Sequence, residues 1–325
     1  MLDEKILNIL RTNRDSYVSG EELCKLAGIS RAAIWKHIEK LREEGYEIDA
    51  VPHLGYKLIA APDSLIPSEI RWNLKAKVFG SRILAYKKVD TTNDVAYELA
   101  KKGMKEGTVV LAEEQAKGKG RHGRNWISPP KGGIYMSYIL RPNISPNEIP
   151  RITLLSAIAV AKAIREVCGM EAFIKWPNDI MIDDKKICGI LTEMKAEQDR
   201  VDFIVVGIGI NVNTPVKHLP KTASSLKEEM RRRNLKASVS RVDLTKKVLE
   251  MLEEYYNLLN KEGFAPIIEA WKDMSSMLGS RIKVSLPNRV FEGQAHDIDP
   301  DGALVVRLDS GVLERVSSGD VVMVR

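Results

Sequence analysis

Gly118, Gly120 and Gly123 lie in the stretch Gln115-Ala-Lys-Gly-Lys-Gly-Arg-His-Gly-Arg-Asn-Trp126, and the residues after them exclude the fold that they spell. Their spacing is G-x-G-x-x-G, the dinucleotide-binding fingerprint, which needs a strand before it and a helix opening directly after it. The strand is there, because Thr108-Val-Val-Leu-Ala112 is an apolar run of β-formers. The helix is not. Asn125-Trp-Ile-Ser-Pro129-Pro130 comes next, and two prolines cannot continue a helix. A P-loop fails as well, since no Gly-Lys-Ser/Thr ends the segment. A phosphate bound here would meet loop amides and the cations Lys117, Lys119, Arg121 and Arg124, with Trp126 offering a flat face to a ring. Taken alone, the same residues also describe a basic glycine-rich surface loop.

At 325 residues the chain has room for two or three domains. No signal peptide or membrane span is expected, so the chain reads as cytoplasmic, with no membrane partner. Cys24, Cys168 and Cys188 are the three cysteines; their scattered spacing argues against a disulfide framework or a zinc site. The net charge of +6 is unevenly distributed: residues 1–60 carry −1, residues 271–325 carry −1, and the middle carries +8. An excess confined to the centre points to an anionic substrate or an acidic partner there.

The N-terminus nevertheless patterns as a DNA reader. Leu2 to Asn13 reads as a helix, Ser19 with Glu22 caps a second through Leu26, and Ser30 caps a third to about Glu44. Ala27-Gly-Ile29 makes the tight turn between the last two, the helix-turn-helix arrangement. In the third helix Ile34, Ile38 and Leu41 share one face. Ser30, Arg31, Ala32, Trp35, Lys36 and Lys40 are the DNA-binding candidates, and residues 30–42 carry a net +3. Tyr46–Val51 and Gly55–Ile59 would form the wing of a winged helix. A small helical scaffold for protein contacts is the competing reading. Residues 60–67, with two prolines, form a linker.

Strands and helices then alternate. Ile83–Val89 and Gly133–Arg141 read as strands and Ile149–Cys168 as a long apolar helix. Asp90-Thr91-Thr92-Asn93 opens a helix with polar groups suited to a small ligand, although Thr91 or Thr92 would also serve as a simple N-cap. A strand–loop–strand runs from Phe173 to Ile182, followed by strands at Lys185–Glu193 and Phe203–Asn213. In the last, Gly207, Gly209 and Asn211 share a face, with Gly189 a candidate neighbour. Glycines inside strands mark either a ligand floor or close packing of the protein on itself.

Together, Asp90–Asn93, Gln115–Trp126, Lys175-Trp-Pro-Asn178-Asp179, Lys186-Ile-Cys-Gly189-Ile-Leu and Gly207-Ile-Gly209-Ile-Asn211 resemble, in order and spacing, the motif series of biotin protein ligases. The N-terminal winged helix marks the bifunctional form, both ligase and biotin-operon repressor. Such an enzyme joins the biotin carboxylate to the α-phosphate of ATP with Mg²⁺, then passes biotin from biotinyl-5′-AMP to a lysine of a biotin carboxyl carrier protein. Neither step needs an enzyme nucleophile, so the protein must orient reactants and neutralise charge.

The resemblance implies roles by position. Thr91, Thr92, Asn93 and Gln115 would bind the biotin head group, and Gly189, Gly207 and Gly209 would line its chain. Lys186 would meet the biotin carboxylate and the phosphate, and is the catalytic candidate with Arg121. Lys119, Gly120 and Arg121 would close over biotin and adenylate, while Arg124, Trp126, Lys175, Asn178 and Asn211 would serve the nucleotide. Asp179 is the Mg²⁺ candidate. Relatives often carry arginine where this chain has Lys119, which keeps the charge and loses bidentate geometry.

Thr214–Ser225 is a long connection, lid or plain linker. Met230–Lys236, with Arg231-Arg-Arg233, is a basic helix end, solvated or facing an acidic acceptor. Leu244–Glu262 and Pro266–Met277 read as helices, and five short strands follow from Arg281. The expected architecture is α/β (α+β): a winged helix-turn-helix at 1–62, a class II synthetase-like mixed sheet with helices at 68–275, and an SH3-like β-barrel at 278–325. Operator DNA and a second copy of the chain, joined when biotinyl-5′-AMP acts as corepressor, are the further expected partners. A lipoate-type ligase and a non-catalytic ligand-sensing regulator are the alternatives.

Overall fold

The computed structural model describes residues 2–197, 200–235 and 239–324. The chain divides into two compact units, Met1–Ser64 and Leu65–Arg325.

The first unit holds helices α1 (Leu2–Thr12), α2 (Gly20–Ala27) and α3 (Arg31–Glu43) and the hairpin β1 (Glu47–Val51) and β2 (Gly55–Ala60). Both expected caps form: the Ser19 hydroxyl accepts from Glu22 N and that of Ser30 from Ala33 N. Ile34, Ile38 and Leu41 are buried with Ile6, Leu10 and Leu23, so the apolar stripe of α3 forms the core and its other face stays in water. Val18 pairs with Tyr56 on the hairpin. A Cβ on Gly55 would lie 2.1 Å from Val18 O, so only glycine fits at that crossing.

The second unit opens with α4 (Pro67–Arg71), β3 (Arg82–Tyr86), α5 (Thr92–Lys101), β4 (Thr108–Ala112), β5 (Gly133–Leu140) and α6 (Ile149–Cys168). Strands β6 (Phe173–Lys175), β7 (Asp179–Ile182), β8 (Lys185–Glu197) and β9 (Arg200–Asn211) follow, then α7 (Leu226–Arg232), α8 (Arg241–Glu262) and α9 (Ala265–Lys272). Seven strands form one mixed sheet in the order β3-β4-β5-β9-β8-β7-β6, in which β3 and β4 are parallel and the other pairs antiparallel. Alternation along β9 explains its two faces. Ile204, Val206, Ile208 and Ile210 are buried in the core shared with α6 and α8, while Phe203 and Val205 lie in a smaller cluster with Ala96 and Ala100 of α5. Toward the N-terminal end of α5, where Asn93 lies over Gly207, that second face continues as Gly207, Gly209 and Asn211.

Strands β10 (Arg281–Leu286), β11 (Arg289–Ile298), β12 (Leu304–Arg307), β13 (Leu313–Val316) and β14 (Asp320–Met323) form a five-stranded antiparallel sheet in the order β13-β12-β11-β10-β14. The expected fold class stands. Its element ends shift where tertiary pairing overrides local pattern. Helix α9 stops at Lys272 because the next residues pair with β6: Ile174 N donates to Met274 O, and Ser276 N to Ile174 O. Strand β3 stops at Tyr86, and Val89 instead pairs with Gln115. The arginines of the basic helix end are tied back, Arg231 and Arg232 to Glu228 and Arg233 to Glu229 and Asp183; Lys236 lies outside the described residues. No described helix is long and apolar enough to cross a membrane.

Candidate active site

The register of the central strands builds the floor. Gly209 stands between Tyr135 and Gly189, which in turn faces Asp179, and Gly207 stands between Ser137 and Leu191. Cross-strand partners share a face, so three glycines leave a shallow trough in a sheet otherwise covered by side chains. A cavity of about 590 Å³ opens there, within the usual range for small-molecule sites. Every residue expected to meet biotin, nucleotide or metal lines it, from Thr91 on α5 to Asn211 on β9.

The protein's own side chains roof two of the glycines. A Cβ on Gly207 would fall 2.1 Å from Asn93 Oδ1, and one on Gly209 would fall 2.4 Å from Trp126 Nε1. Trp126 therefore lies flat on the sheet, with the Lys186 ammonium 5.5 Å from its ring centroid. Gly189 is looser, its absent Cβ 3.1 Å from the Trp126 edge and 3.2 Å from Lys186 Cε.

At one end the pocket is a hydrogen-bond network. Thr91 caps α5, accepting from Asn93 N, so the capping role and the cavity-lining position coincide. Thr92 N donates to Gln115 Oε1 at 2.8 Å, and Gln115 Nε2 donates to Ser128 Oγ at 2.9 Å. Thr91, Thr92 and Asn93 are each 3% exposed, so a ligand reaching them leaves water behind.

At the other end the glycine-rich stretch folds as a small hairpin with a turn of 3₁₀ helix at Arg121–Gly123. Gly120 N donates to Arg124 O and Trp126 N to Gly118 O. Its cations have distinct partners. Lys117 pairs with Asp90 at 2.9 Å, Lys119 with Asp94, and Arg124 with Asp320 of β14. Arg121 donates to Asn178 Oδ1 at 3.2 Å and to Gly319 O at 3.3 Å. Burial pushes the Arg121 guanidinium down from its ordinary value, against the pull of Asp320 and Asp179; arginine keeps its charge regardless.

Between the two ends, Lys186 Nζ sits 2.6 Å from Asp179 Oδ1. Asn178 is anchored through Nδ2 to Ile190 O, and Asn211 through Nδ2 to Ser224 O. Asn211 Oδ1 and Trp126 Nε1, both on residues that line the cavity, are buried with no hydrogen-bond partner among the described residues. Buried polar atoms are nearly always satisfied, so two such orphans on the lining of one cavity mark a polar ligand site. Lys175 lines the cavity from the end of β6, opposite Asp179. No group of three His, Cys, Asp or Glu among the described residues could hold a metal. A lone Asp179 with nearby amide oxygens still suits Mg²⁺, which keeps waters and phosphate oxygens as its other ligands. Cys188 is on the helix-backed face, its thiol pushed up by burial, and offers no nucleophile to the cavity.

Sequence reasoning included Asp90 in its motif but not as the partner of Lys117, and missed Asp94 and Asp320, which also hold cations, and Ser137, Ser128 and Glu193, which hold the polar end. Asp90 and Asp94 flank the Thr91–Asn93 motif and were open to detection as counter-charges; the rest come together through sheet register or barrel docking.

In the N-terminal unit Arg31, Ala32, Trp35 and Lys36 are exposed on α3, Trp35 by 57%. Ser30 is the N-cap, and Lys40 is drawn to Asp3 at 2.6 Å.

Comparison with known proteins gives the family. Residues 85–211 match the family described as Biotin/lipoate A/B protein ligase, residues 3–57 an HTH domain, and residues 277–324 the Biotin protein ligase C terminal domain. The chain is 37% identical to the bifunctional ligase/repressor BirA of Bacillus subtilis across 98% of both chains. It is 29% identical to the Escherichia coli protein of the same name, over 93% of this chain and 92% of that one. The biotin protein ligase of Aquifex aeolicus, solved in complex with biotin and ATP, superposes on 75% of this chain and 99% of its own with a TM-score of 0.63 at 27% identity. Full-length similarity to ligase/repressors, with all three domain types in the same order, places the chain in the biotin protein ligase family, in its bifunctional ligase/repressor branch.

Proposed function

We propose that this protein is an ATP-dependent biotin protein ligase that also represses transcription of genes for biotin synthesis and uptake. The observation that carries the enzymatic reading is Lys186, held 2.6 Å from Asp179 on the glycine floor between a neutral hydrogen-bonding pocket and a cationic loop. That order matches a molecule with a polar uncharged head, an apolar chain and a carboxylate that must meet a phosphate.

In the first step a biotin carboxylate oxygen attacks the α-phosphorus of ATP, forming the mixed anhydride and expelling pyrophosphate. Lys186 sits where carboxylate and phosphate converge, and its charge offsets their mutual repulsion. Thr92, Asn93 and Gln115 orient the head group; Arg121, Lys119 and Gly120 enclose the adenylate; Arg124, Trp126, Lys175, Asn178 and Asn211 serve the nucleotide. Mg²⁺, beside Asp179, would neutralise phosphate charge when bound. In the second step the amine of a carrier-protein lysine attacks the anhydride carbonyl and AMP leaves. Every base or nucleophile comes from the substrates; the protein supplies position and charge.

Pyrophosphate release from ATP, measured with biotin and with lipoate, tests this. Release with biotin is expected, and release with lipoate alone would refute it. Lipoate's dithiolane would leave the polar end unpaired, and sites built around hydrogen bonds reject such analogues strongly. The repressor half rests on the exposed basic face of α3. It acts in the cytoplasm on operator DNA as a homodimer favoured by biotinyl-5′-AMP, because two half-sites are needed for specificity. Footprinting and light scattering with and without the adenylate check both points; no change with ligand would leave a ligase alone.

A further inference from the structure

Asn93 is wedged among groups that dictate which way its amide points. Its Nδ2 lies 2.6 Å from Glu193 Oε2, with Leu191 O a longer second acceptor at 3.4 Å, and its Oδ1 lies 2.6 Å from Ser137 Oγ. A carboxylate only accepts, so the NH₂ must face Glu193 and the carbonyl must face Ser137. The single Ser137 proton is thereby used on Asn93. Ser137 Oγ is also 2.7 Å from Thr92 Oγ1, a contact that now needs the Thr92 proton. Gln115 Oε1 competes less well for that proton, since it lies 3.2 Å from Thr92 Oγ1 and already accepts from Thr92 N at 2.8 Å. Outward from Glu193, the protons run one way: Asn93 to Glu193, Ser137 to Asn93, Thr92 to Ser137. Thr92 Oγ1 then has only lone pairs left for a ligand in the cavity it lines.

We infer that Glu193 is a positioning residue that sets the polarity of this chain, so that Thr92 meets the ligand as an acceptor and selects a ring N–H. Glu193 is well placed for this. It follows Gly189 and Leu191 on the cavity face of β8, two residues past the strand partner of Gly207. Gly207 completes the device, since a Cβ there would strike Asn93 Oδ1 at 2.1 Å. The inference rests on the reading of the pocket as the biotin head-group site, where the ureido ring offers two N–H groups.

The test is adenylation kinetics with biotin, desthiobiotin and the two cyclic carbamates in which one or the other ring N–H is replaced by oxygen. Wild-type enzyme should accept both ureido ligands and disfavour at least one carbamate by on the order of 100-fold or more. Glu193→Leu leaves only the longer contact to Leu191 O to hold the Asn93 amide, which can then flip and let the whole chain reverse. KM for biotin and desthiobiotin should rise about tenfold with kcat held within about threefold, and the preference over that carbamate should narrow to match. Ser137→Ala, which breaks the chain at its middle, should do the same. Glu193→Gln keeps an acceptor oxygen for Asn93 and should stay close to wild type. Variants that weaken biotin and carbamates equally, or lower kcat alone, would overturn the inference. Wild-type enzyme that forms no biotinyl adenylate would instead sink the functional reading beneath it.

Discussion

Arg124, in the glycine-rich loop, is ion-paired with Asp320 at the start of β14, 196 residues later in the chain. With Arg121 donating to Gly319 O, this pins the loop over the cavity to the C-terminal sheet. Burial raises the Asp320 carboxyl, but the hydrogen bond and charge of Arg124, with His122 and Arg121 nearby, hold it below the usual carboxylate value. A depressed native pKa gives stability that is present above the unfolded value, about 3.9, and lost as pH falls through the native one. Arg124 is largely exposed, so the contribution should stay below about 1 kcal/mol. Asp320→Asn should therefore lower Tm slightly at pH 7, and the gap should close at acidic pH. A gap that widens on acidification would contradict the assignment.

Arg121 is the loop cation that meets Asn178 within the site. Arg121→Gly removes charge-assisted hydrogen bonds worth about 1.5–3 kcal/mol each, so biotinyl-5′-AMP should escape roughly 10- to 100-fold faster. Mass spectrometry should then find biotin on bystander lysines; target selectivity equal to wild type would exclude Arg121 as the gate.

Lys119 pairs through its backbone with Asn125 in the hairpin, while its side chain is ion-paired with Asp94 on α5. Lys119→Arg restores a planar fork able to bind carboxylate and phosphate oxygens at once. Adenylate dissociation should slow by a factor of about two to ten, the value of one neutral-strength hydrogen bond. Faster dissociation in a stopped-flow chase would show that lysine is the better residue here.

The floor glycines should differ in tolerance. Gly207→Ala drives a methyl into Asn93 and Gly209→Ala drives one into the Trp126 indole. Gly189→Ala meets only the Trp126 edge and the flexible end of Lys186, at 3.1 and 3.2 Å. Biotin affinity by calorimetry should fall on the order of 100-fold for Gly207→Ala, overpacking costing about 1–3 kcal/mol. Gly189→Ala should lose tenfold or less. The reverse order would mean that the cavity floor is not built as described.

What the sequence made legible depends on physical range. Alternation in Phe203–Asn211, helical spacing in Ile149–Cys168 and the Ser19 and Ser30 caps are local signals, and each element formed. Ser137 opposite Gly207, Glu193 against Asn93 and Asp320 against Arg124 depend on strand register or on domain docking. No local pattern encodes these. The glycines read either as a floor for a ligand or as close packing of the protein on itself; their tightest contacts are Asn93 and Trp126, and the same residues line the cavity.

The DNA-reading helix allows a sharper discrimination between two lysines. Lys36 is exposed on α3, whereas the Lys40 ammonium is 2.6 Å from Asp3 and shares that carboxylate with His37. A lysine already neutralised by the protein releases fewer counterions when it meets DNA. Lys36→Ala should weaken binding to duplex DNA across sequences and reduce the slope of log affinity against log salt by about one. Lys40→Ala should change that slope by less than half as much, and its main cost should fall on the α1–α3 packing that Asp3 bridges. Anisotropy titrations over a salt series read both numbers. A larger slope change for Lys40 than for Lys36 would place Lys40 on the phosphate backbone and Asp3 in the role of a switchable counter-charge.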